Sequence, residues 1–464
     1  MTRVFDVVVI GGGLVGAAIA RELSGTSLSV ALVEARNDVG DGTSKANTAI
    51  LHTGFDAKPG TLESRLVRRG YEMLSGYAAD TGIPVERTGA VLVAWTSEEF
   101  EALPGLQAKA VANGYEACEL VDSASIYREL PALASGALGG LTVPDESITC
   151  TWTTNLALAT DAVSRGCVVK LGHRVESIDR SDDHTTLQTS NGPVQARWVV
   201  NAAGLGGDVV DAMFGHHRFT VTPRRGELFV FDKLARPLAP KIVLPVPSSL
   251  GKGVLISPTI YGNVMLGPTA EDLLDRTATG TSESGFDFLM QKGERLMPQL
   301  LREEVTASYA GLRAAIDRDD YLIEVEATQR YCLVGGIRST GLTAAMSIAE
   351  YVAGLMTEAG LDCEARSTLP EPPQLPNLGE AALRPYQDAE RIERDPAYGE
   401  VVCFCERVTQ GEVRDAFNAS LPPADLNGLR RRTRIMNGRC QGFYCGANAQ
   451  ALTDQHTAER GAIT

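Results

Sequence analysis

The sequence predicts an α/β fold in three parts. These are a parallel-sheet domain built from strand–turn–helix units, an α+β domain inserted into it, and a small cysteine-bearing C-terminal module. Three observations carry that reading. Short β-branched runs end in glycine-rich turns that open helices, once near the N-terminus and twice more. The long stretches between them carry alternating, strand-like patterns. A proline-rich segment then sets off a region holding four of the nine cysteines. The 464 residues leave room for about two to four domains. With 44 % hydrophobic and 22 % charged residues, the composition excludes a mainly disordered chain. The formal net charge of −15 repels phosphate backbones and anionic lipid, so no nucleic-acid partner is expected.

In chain order, residues 5–10 read as a buried parallel strand, 11–16 as a turn, 17–23 as a helix and 29–34 as a second strand. Together they make one βαβ unit of about thirty residues. A strand ending Trp198-Val199-Val200 leads into the turn Asn201-Ala202-Ala203-Gly204. Residues 331–336 lead into a helix running from about Thr340 to Thr357. Strand patterns at 227–231 and 264–267 belong to the inserted domain. The expected division is therefore 1–366 for the main unit, with its own segments at about 1–80, 145–215 and 326–366 and the insertion at about 81–144 and 216–325. Pro370, Pro372, Pro373, Pro376, Pro385 and Pro396 make 367–399 a linker or a surface strap, and 400–464 form the module.

The apolar run 7–20 contains four glycines and is too short to span a bilayer. It lacks the basic flank and cleavage site of a signal peptide. Cys118, Cys150, Cys167, Cys332 and Cys363 stand singly, as buried apolar residues do. This usage suits a reducing, cytoplasmic setting.

Gly11-Gly12-Gly13-Leu14-Val15-Gly16 fits G-x-G-x-x-G, behind a strand and ahead of a helix. Gly11 lets the chain turn, Gly13 lets the backbone approach a pyrophosphate, and Gly16 lets helix and strand pack closely. The helix N-terminus presents free N–H groups to phosphates. Glu34, ending the next strand, accepts hydrogen bonds from ribose hydroxyls and disfavours a 2′-phosphate. The domain is thus Rossmann-like and binds a dinucleotide.

Further motifs separate the possible dinucleotides. Arg36, Gly42-Thr43-Ser44-Lys45-Ala46-Asn47-Thr48, Leu51-His52-Thr53-Gly54, Asn201-Ala202-Ala203-Gly204 and Gly335-Gly336-Ile337-Arg338-Ser339-Thr340-Gly341-Leu342-Thr343 resemble the D-amino-acid-oxidase-like superfamily of FAD enzymes. Within it the chain is most similar to the glycerol-3-phosphate dehydrogenase and L-2-hydroxyglutarate dehydrogenase branch, over nearly all of residues 4–360. Pro223-Arg224-Arg225-Gly226-Glu227, Gly267-Pro268-Thr269-Ala270 and Ala310-Gly311-Leu312-Arg313 add to the likeness. The resemblance implies FAD, contacted by the glycine turn with Leu14 and Val15, by Glu34, Arg36, Thr43, Ser44 and Asn47, by Ala203 and Gly204, and by Gly336, Gly341, Leu342 and Thr343. It also implies that 335–343 passes the flavin, with a helix N-terminus facing isoalloxazine O2 and favouring the anionic reduced form.

On the substrate side, Arg313 matches the family position whose guanidinium holds the substrate's anionic group. Arg338 is either a second cation or half of a surface ion pair. Arg224 and Arg225 brace the domain junction. His52 lies on the segment running past the flavin and is the candidate base for the hydroxyl proton. A buried structural histidine and a covalent flavin tether are the other roles open to it. His216 and His217 read as surface residues.

Cys403-Phe404-Cys405 and Cys440-Gln441-Gly442-Phe443-Tyr444-Cys445 offer four thiolates from two loops, enough for a zinc site or a [2Fe–2S] cluster. Their surroundings, Cys-Phe-Cys-Glu-Arg-Val-Thr and Asn437-Gly438-Arg439-Cys440-Gln441-Gly442, resemble the bacterioferritin-associated-ferredoxin-like [2Fe–2S] domain, where the four cysteines ligate the cluster. The same domain ends the large subunit of the anaerobic glycerol-3-phosphate dehydrogenase. Arg430, Arg431, Arg432 and Arg434 read as either a solvated helix face or a docking patch for an electron acceptor.

The resemblance implies an FAD-dependent dehydrogenase of a small anionic secondary alcohol, with glycerol 3-phosphate first among substrates. Electrons would leave through the [2Fe–2S] module to a protein partner or quinone-linked chain, and any membrane association would be peripheral, through that partner. A 2-hydroxy-acid dehydrogenase, an amine or imino-acid dehydrogenase, and an electron carrier with no substrate of its own are the rivals. The C-terminal part is shorter than that of a full anaerobic large subunit, which counts against a multi-subunit, membrane-docked assembly.

Overall fold

The computed structural model describes residues 3–247 and 253–461. The ends of the expected first and last units, and residues 248–252 of the expected insertion, lie outside that range. At its centre, the strand Val4–Ile10 pairs in parallel with Val194–Asn201 on one side and Val30–Val33 on the other. Tyr331–Gly335 and Val168–Lys170 extend the parallel core outward. Both faces of this sheet are covered, which is why Val7–Ile10 and Val30–Val33 are continuous runs of buried apolar residues. Val7 and Val9 enter one core, beneath the helices Leu14–Leu23, Thr151–Ser164 and Gly341–Glu358, while Val8 and Ile10 enter the other. The strand Leu322–Glu326 joins this sheet antiparallel to Tyr331–Gly335. The chain therefore re-enters the first domain at about residue 322, slightly before the expected 326.

Among the described residues, the inserted domain is built on a nine-stranded sheet. Its strand Thr222–Phe231 runs antiparallel to both Val305–Ala315 and Val264–Gly267, with Phe229 opposite Leu266. In the strand Ala90–Ala94, Val91 and Val93 face one core and Leu92 the other, as alternation requires.

Two close approaches set the geometry around the site. Gly11 has φ 108°, and a Cβ there would lie 2.4 Å from the Ala202 carbonyl oxygen. Gly70, on the helix Leu62–Thr81, lets that helix meet the start of Gly341–Glu358, since a Cβ would lie 2.3 Å from the Thr343 carbonyl oxygen.

Residues 367–399 form a strap. Leu375 N–H donates to the Thr81 carbonyl of the first domain, and Glu380 N–H donates to the Ile260 carbonyl of the second. Beyond it, Cys403, Val408, Val413, Phe417, Leu429, Ile435, Cys445 and Ala449 make the module's own small core. Among the described residues, no helix is long and apolar enough to cross a membrane.

Candidate functional site

The glycine turn packs against the turn 201–204, and Gly16 packs so closely on it that a Cβ would lie 1.9 Å from the Gly11 carbonyl oxygen. No side chain caps the helix Leu14–Leu23 at Gly13. Instead, Ser44 Oγ accepts from Leu14 N–H at 3.0 Å. The helix Gly341–Glu358 also has no side-chain cap, because the Thr340 hydroxyl is engaged by Glu63 at 2.7 Å and Tyr321 at 2.5 Å. A Cβ on Gly341 would lie 3.9 Å from Val15 Cγ2, so the two helix starts are neighbours. Paired N-termini in a glycine-lined cradle fit a pyrophosphate and an electron-rich ring.

Glu34 accepts from the Gly12 N–H at 2.6 Å and the Arg36 N–H at 2.8 Å. Burial raises its carboxyl above the ordinary value in spite of those bonds. The short turn Thr43–Lys45 is tied to the second domain by Thr43 Oγ1 donating to the Leu312 carbonyl at 2.9 Å. Asn47 bridges the Ser44 carbonyl and Thr151 Oγ1. Ala203 N–H donates to Asn201 Oδ1 at 3.2 Å, and Gly204 and Gly336 both have positive φ. Arg36 is exposed and pairs with Asp41 at 3.3 Å.

His52 is anchored to the helix Gly341–Glu358: its N–H donates to Thr343 Oγ1 at 2.9 Å. Its Nδ1 lies 3.1 Å from Glu146 Oε2, a contact the sequence reading missed. Glu146 is fully buried, and its Oε1 accepts from Thr53 N–H at 2.7 Å and Thr53 Oγ1 at 2.9 Å.

Arg313 lies on the strand Val305–Ala315, beside the loop 43–47. Its guanidinium packs over Gly226, with a long 3.5 Å contact to the Thr269 carbonyl. Among the described residues no carboxylate pairs with it. Burial, then the charge of Arg224, lower its value. Arg338 is different. It donates to the Asp319 carbonyl at 2.7 Å and lies 3.5 Å from the Asp319 carboxylate and 3.9 Å from Glu63. Arg224 and Arg225 pair with Asp272 and Glu271 on an adjoining strand. His216 is half-buried, stacked on Tyr331 and bonded to Gln329 at 2.8 Å, so it is not a plain surface residue.

In the module the thiols come together as two neighbouring pairs, Cys405 beside Cys440 and Cys403 beside Cys445. Among the described residues, no three ligating side chains close around one point. The backbone N–H of Tyr444, with those of Gly442 and Phe443, holds the Cys440 thiol below its ordinary value. Four cysteines, one already cradled by N–H donors, fit an iron–sulfur cluster, whose sulfurs are tuned by such bonds.

The expected solvated or partner-facing arginine row is overturned. Arg431 pairs with Asp38 at 2.7 Å and Asp41 at 2.6 Å, and Arg432 reaches both oxygens of Asp38. Arg434 is buried, 2.9 Å from Glu406 and stacked over Tyr261. Arg430 bonds Asn437 within the module. The row fastens the module to its own chain.

The similarities to known proteins agree with this geometry. Residues 6–355 match the family of FAD-dependent oxidoreductases designated DAO, and residues 401–455 match the BFD-like [2Fe–2S] binding domain. A glycerol 3-phosphate dehydrogenase of Caloramator mitchellensis is 34 % identical over 443 residues, covering 95 % of this chain and 92 % of its own length. One subunit of the anaerobic glycerol-3-phosphate dehydrogenase of Escherichia coli (strain K12) is 27 % identical, over 96 % of this chain and 87 % of its own. In three dimensions the chain resembles the FAD-bound L-alpha-glycerophosphate oxidase of Mycoplasma pneumoniae, with a TM-score of 0.76 and 27 % identity over 81 % of this chain and 100 % of that one. The chain thus belongs to the FAD-dependent oxidoreductase family and continues, from residue 401, as a BFD-like [2Fe–2S] binding domain.

Proposed function

We propose that the protein oxidises the secondary alcohol of glycerol 3-phosphate to the ketone of dihydroxyacetone phosphate and delivers the electrons to a protein partner or quinone-linked chain. The observation that carries this is Arg313: a desolvated guanidinium beside the cofactor loop, with no carboxylate partner among the described residues. A planar cation kept free of its own chain's acids suits a phosphate bidentately. The similar glycerol 3-phosphate dehydrogenases and oxidase support the choice of substrate.

FAD, when bound, supplies the hydride acceptor, and the [2Fe–2S] cluster a one-electron relay. The chain's own groups do the rest. The two helix starts hold the pyrophosphate and ring, Glu34 takes the ribose, and Cys403, Cys405, Cys440 and Cys445 hold the iron. Arg313 binds the substrate anion. His52, hung from Thr343, takes the hydroxyl proton. Arg338 helps set the loop 335–343 through Asp319 and Glu63. The two cysteine loops expose Phe404, Phe443 and Tyr444 to an acceptor. The protein works in the cytoplasm, and any membrane attachment comes through its partner.

A stopped-flow panel under argon tests the reading. Glycerol 3-phosphate should bleach the flavin faster than 2-hydroxy acids, amino acids or unphosphorylated glycerol. Bleaching by L-2-hydroxyglutarate or an amino acid, without response to glycerol 3-phosphate, refutes it.

A further inference from the structure

Glu146 is an unusual place for an acid. It follows the strand Gly139–Val143 in a short turn, precedes Ser147–Thr149, and has no exposed surface. A carboxylate so buried needs donors on its oxygens. Three donors are present: Thr53 N–H and Thr53 Oγ1 on Oε1, and the His52 ring on Oε2. Among the described residues, none of its contacts is with an arginine or lysine, and Arg87 pairs with the neighbouring Asp145. The carboxylate is therefore spent on two consecutive residues, Thr53 and His52, and His52 is also the residue hung from Thr343 by its backbone. Removing the acid would leave the Thr53 N–H without its partner.

We infer that Glu146 is a positioning residue, whose carboxylate fixes the neutral His52 ring with its proton on Nδ1 and so leaves the Nε2 lone pair free for the substrate hydroxyl. The inference rests on the reading of His52 as the base. It follows from acceptor geometry. Oε2 faces Nδ1 and, on a carboxylate, can only accept, so the ring must donate there. Among the described residues, no hydrogen bond engages Nε2. A carboxylate behind the histidine also stabilises the imidazolium once the proton has moved, the same logic by which a buried aspartate orients a catalytic histidine in hydrolases.

The arrangement predicts what a single amide would do. In Glu146→Gln, the backbone N–H of Thr53 can only donate, so the amide oxygen must stay on the Thr53 side. The amide NH₂ then faces His52 Nδ1 and forces it to accept. The ring proton moves to Nε2, and the lone pair the substrate needs is lost, with little change in volume. Glu146→Asp keeps an acceptor and should keep the native tautomer.

The test is the ¹⁵N spectrum of the histidine-labelled FAD-loaded protein at pH 8.5, with the His52 signals assigned through His52→Gln. The unmodified protein should show the Nδ1–H form and Glu146→Gln the Nε2–H form. With glycerol 3-phosphate, kcat for flavin reduction in Glu146→Gln should fall roughly 10²- to 10⁴-fold, the range of general-base assistance, with KM little changed. Glu146→Asp should recover much of the loss. An Nε2–H ring in the unmodified protein, or the same tautomer in Glu146→Gln, overturns the inference. An inverted tautomer with undiminished kcat sustains Glu146's hold on the ring and removes His52 as the base.

Discussion

In the proposed function, Arg313 is where one side chain decides the chemistry. The arginines on the neighbouring strand are consumed: Arg224 by Asp272 and Arg225 by Glu271. Arg313 has only a 3.5 Å contact to a carbonyl, and the neighbouring charge of Arg224 makes an anion there more welcome still. Charge-assisted hydrogen bonds contribute about 1.5–3 kcal/mol. Arg313→Ala should therefore lower kcat/KM for glycerol 3-phosphate by roughly ten- to over a hundredfold. Arg313→Lys should lose less, because it keeps the charge but not the fork. Steady-state kinetics check this, and unchanged values would place Arg313 outside the site. Arg313 was readable in the sequence because it sits in a short motif, Gly311-Leu312-Arg313. Glu146 was not. Its partners lie some 94 residues away in the chain, and nothing in Asp145-Glu146 distinguishes a buried acid from a turn acid.

Among the elements, those fixed by local chemistry were readable. The glycine turn, the helix behind it and the helix Gly341–Glu358 all follow from backbone requirements that glycine meets. Elements fixed by distant charges were not. The helix Leu426–Thr433 looks from its arginines like a surface helix, yet it is docked by Asp38 and Asp41, which follow the strand Val30–Val33. Burial tends to raise the Asp38 carboxyl, but Arg432 and Arg431 outweigh it and hold it below its ordinary 3.8. A carboxyl lowered on folding stabilises the docked state above its unfolded value and loses that contribution as pH falls through the folded one. Docking should thus weaken below about pH 4 and be unaffected by alkalinity up to the arginine range. Asp38→Ala strands Arg432 in a buried site. Breaking such a pair costs about 3–5 kcal/mol, so the module should come loose at neutral pH. Limited proteolysis within 367–399, compared with the unmodified protein, reads this out. Equal protection in both would show that the strap, the stacking of Arg434 over Tyr261 and the pair Arg439–Asp232 suffice alone.

For the whole molecule, the question is whether oxidation of substrate and export of electrons are separable. The division of labour in the fold says they are. The glycine cradle, His52, Glu146 and Arg313 belong to residues before the strap, while all four cluster thiols lie after it. The choice of cysteine matters. Cys403 and Cys445 are part of the module's small core, so a serine there disturbs packing as well as ligation. Cys405 and Cys440 are more exposed and are better targets. Cys440→Ser should remove iron and sulfide, measured chemically and by the loss of the EPR signal after dithionite. The module should stay docked, because Arg431 and Arg432 grip Asp38 and Asp41, and Arg434 stacks over Tyr261, without help from the thiols. FAD content should be unchanged, and glycerol 3-phosphate should still bleach the flavin at the unmodified rate. Turnover with a one-electron acceptor protein should fail. If iron is absent from the unmodified protein and zinc is stoichiometric, the module is a structural staple. If instead Cys440→Ser loses FAD along with iron, the loop bearing Asp38 and Asp41 transmits the module's state to the cradle, and the two halves are one cooperative unit.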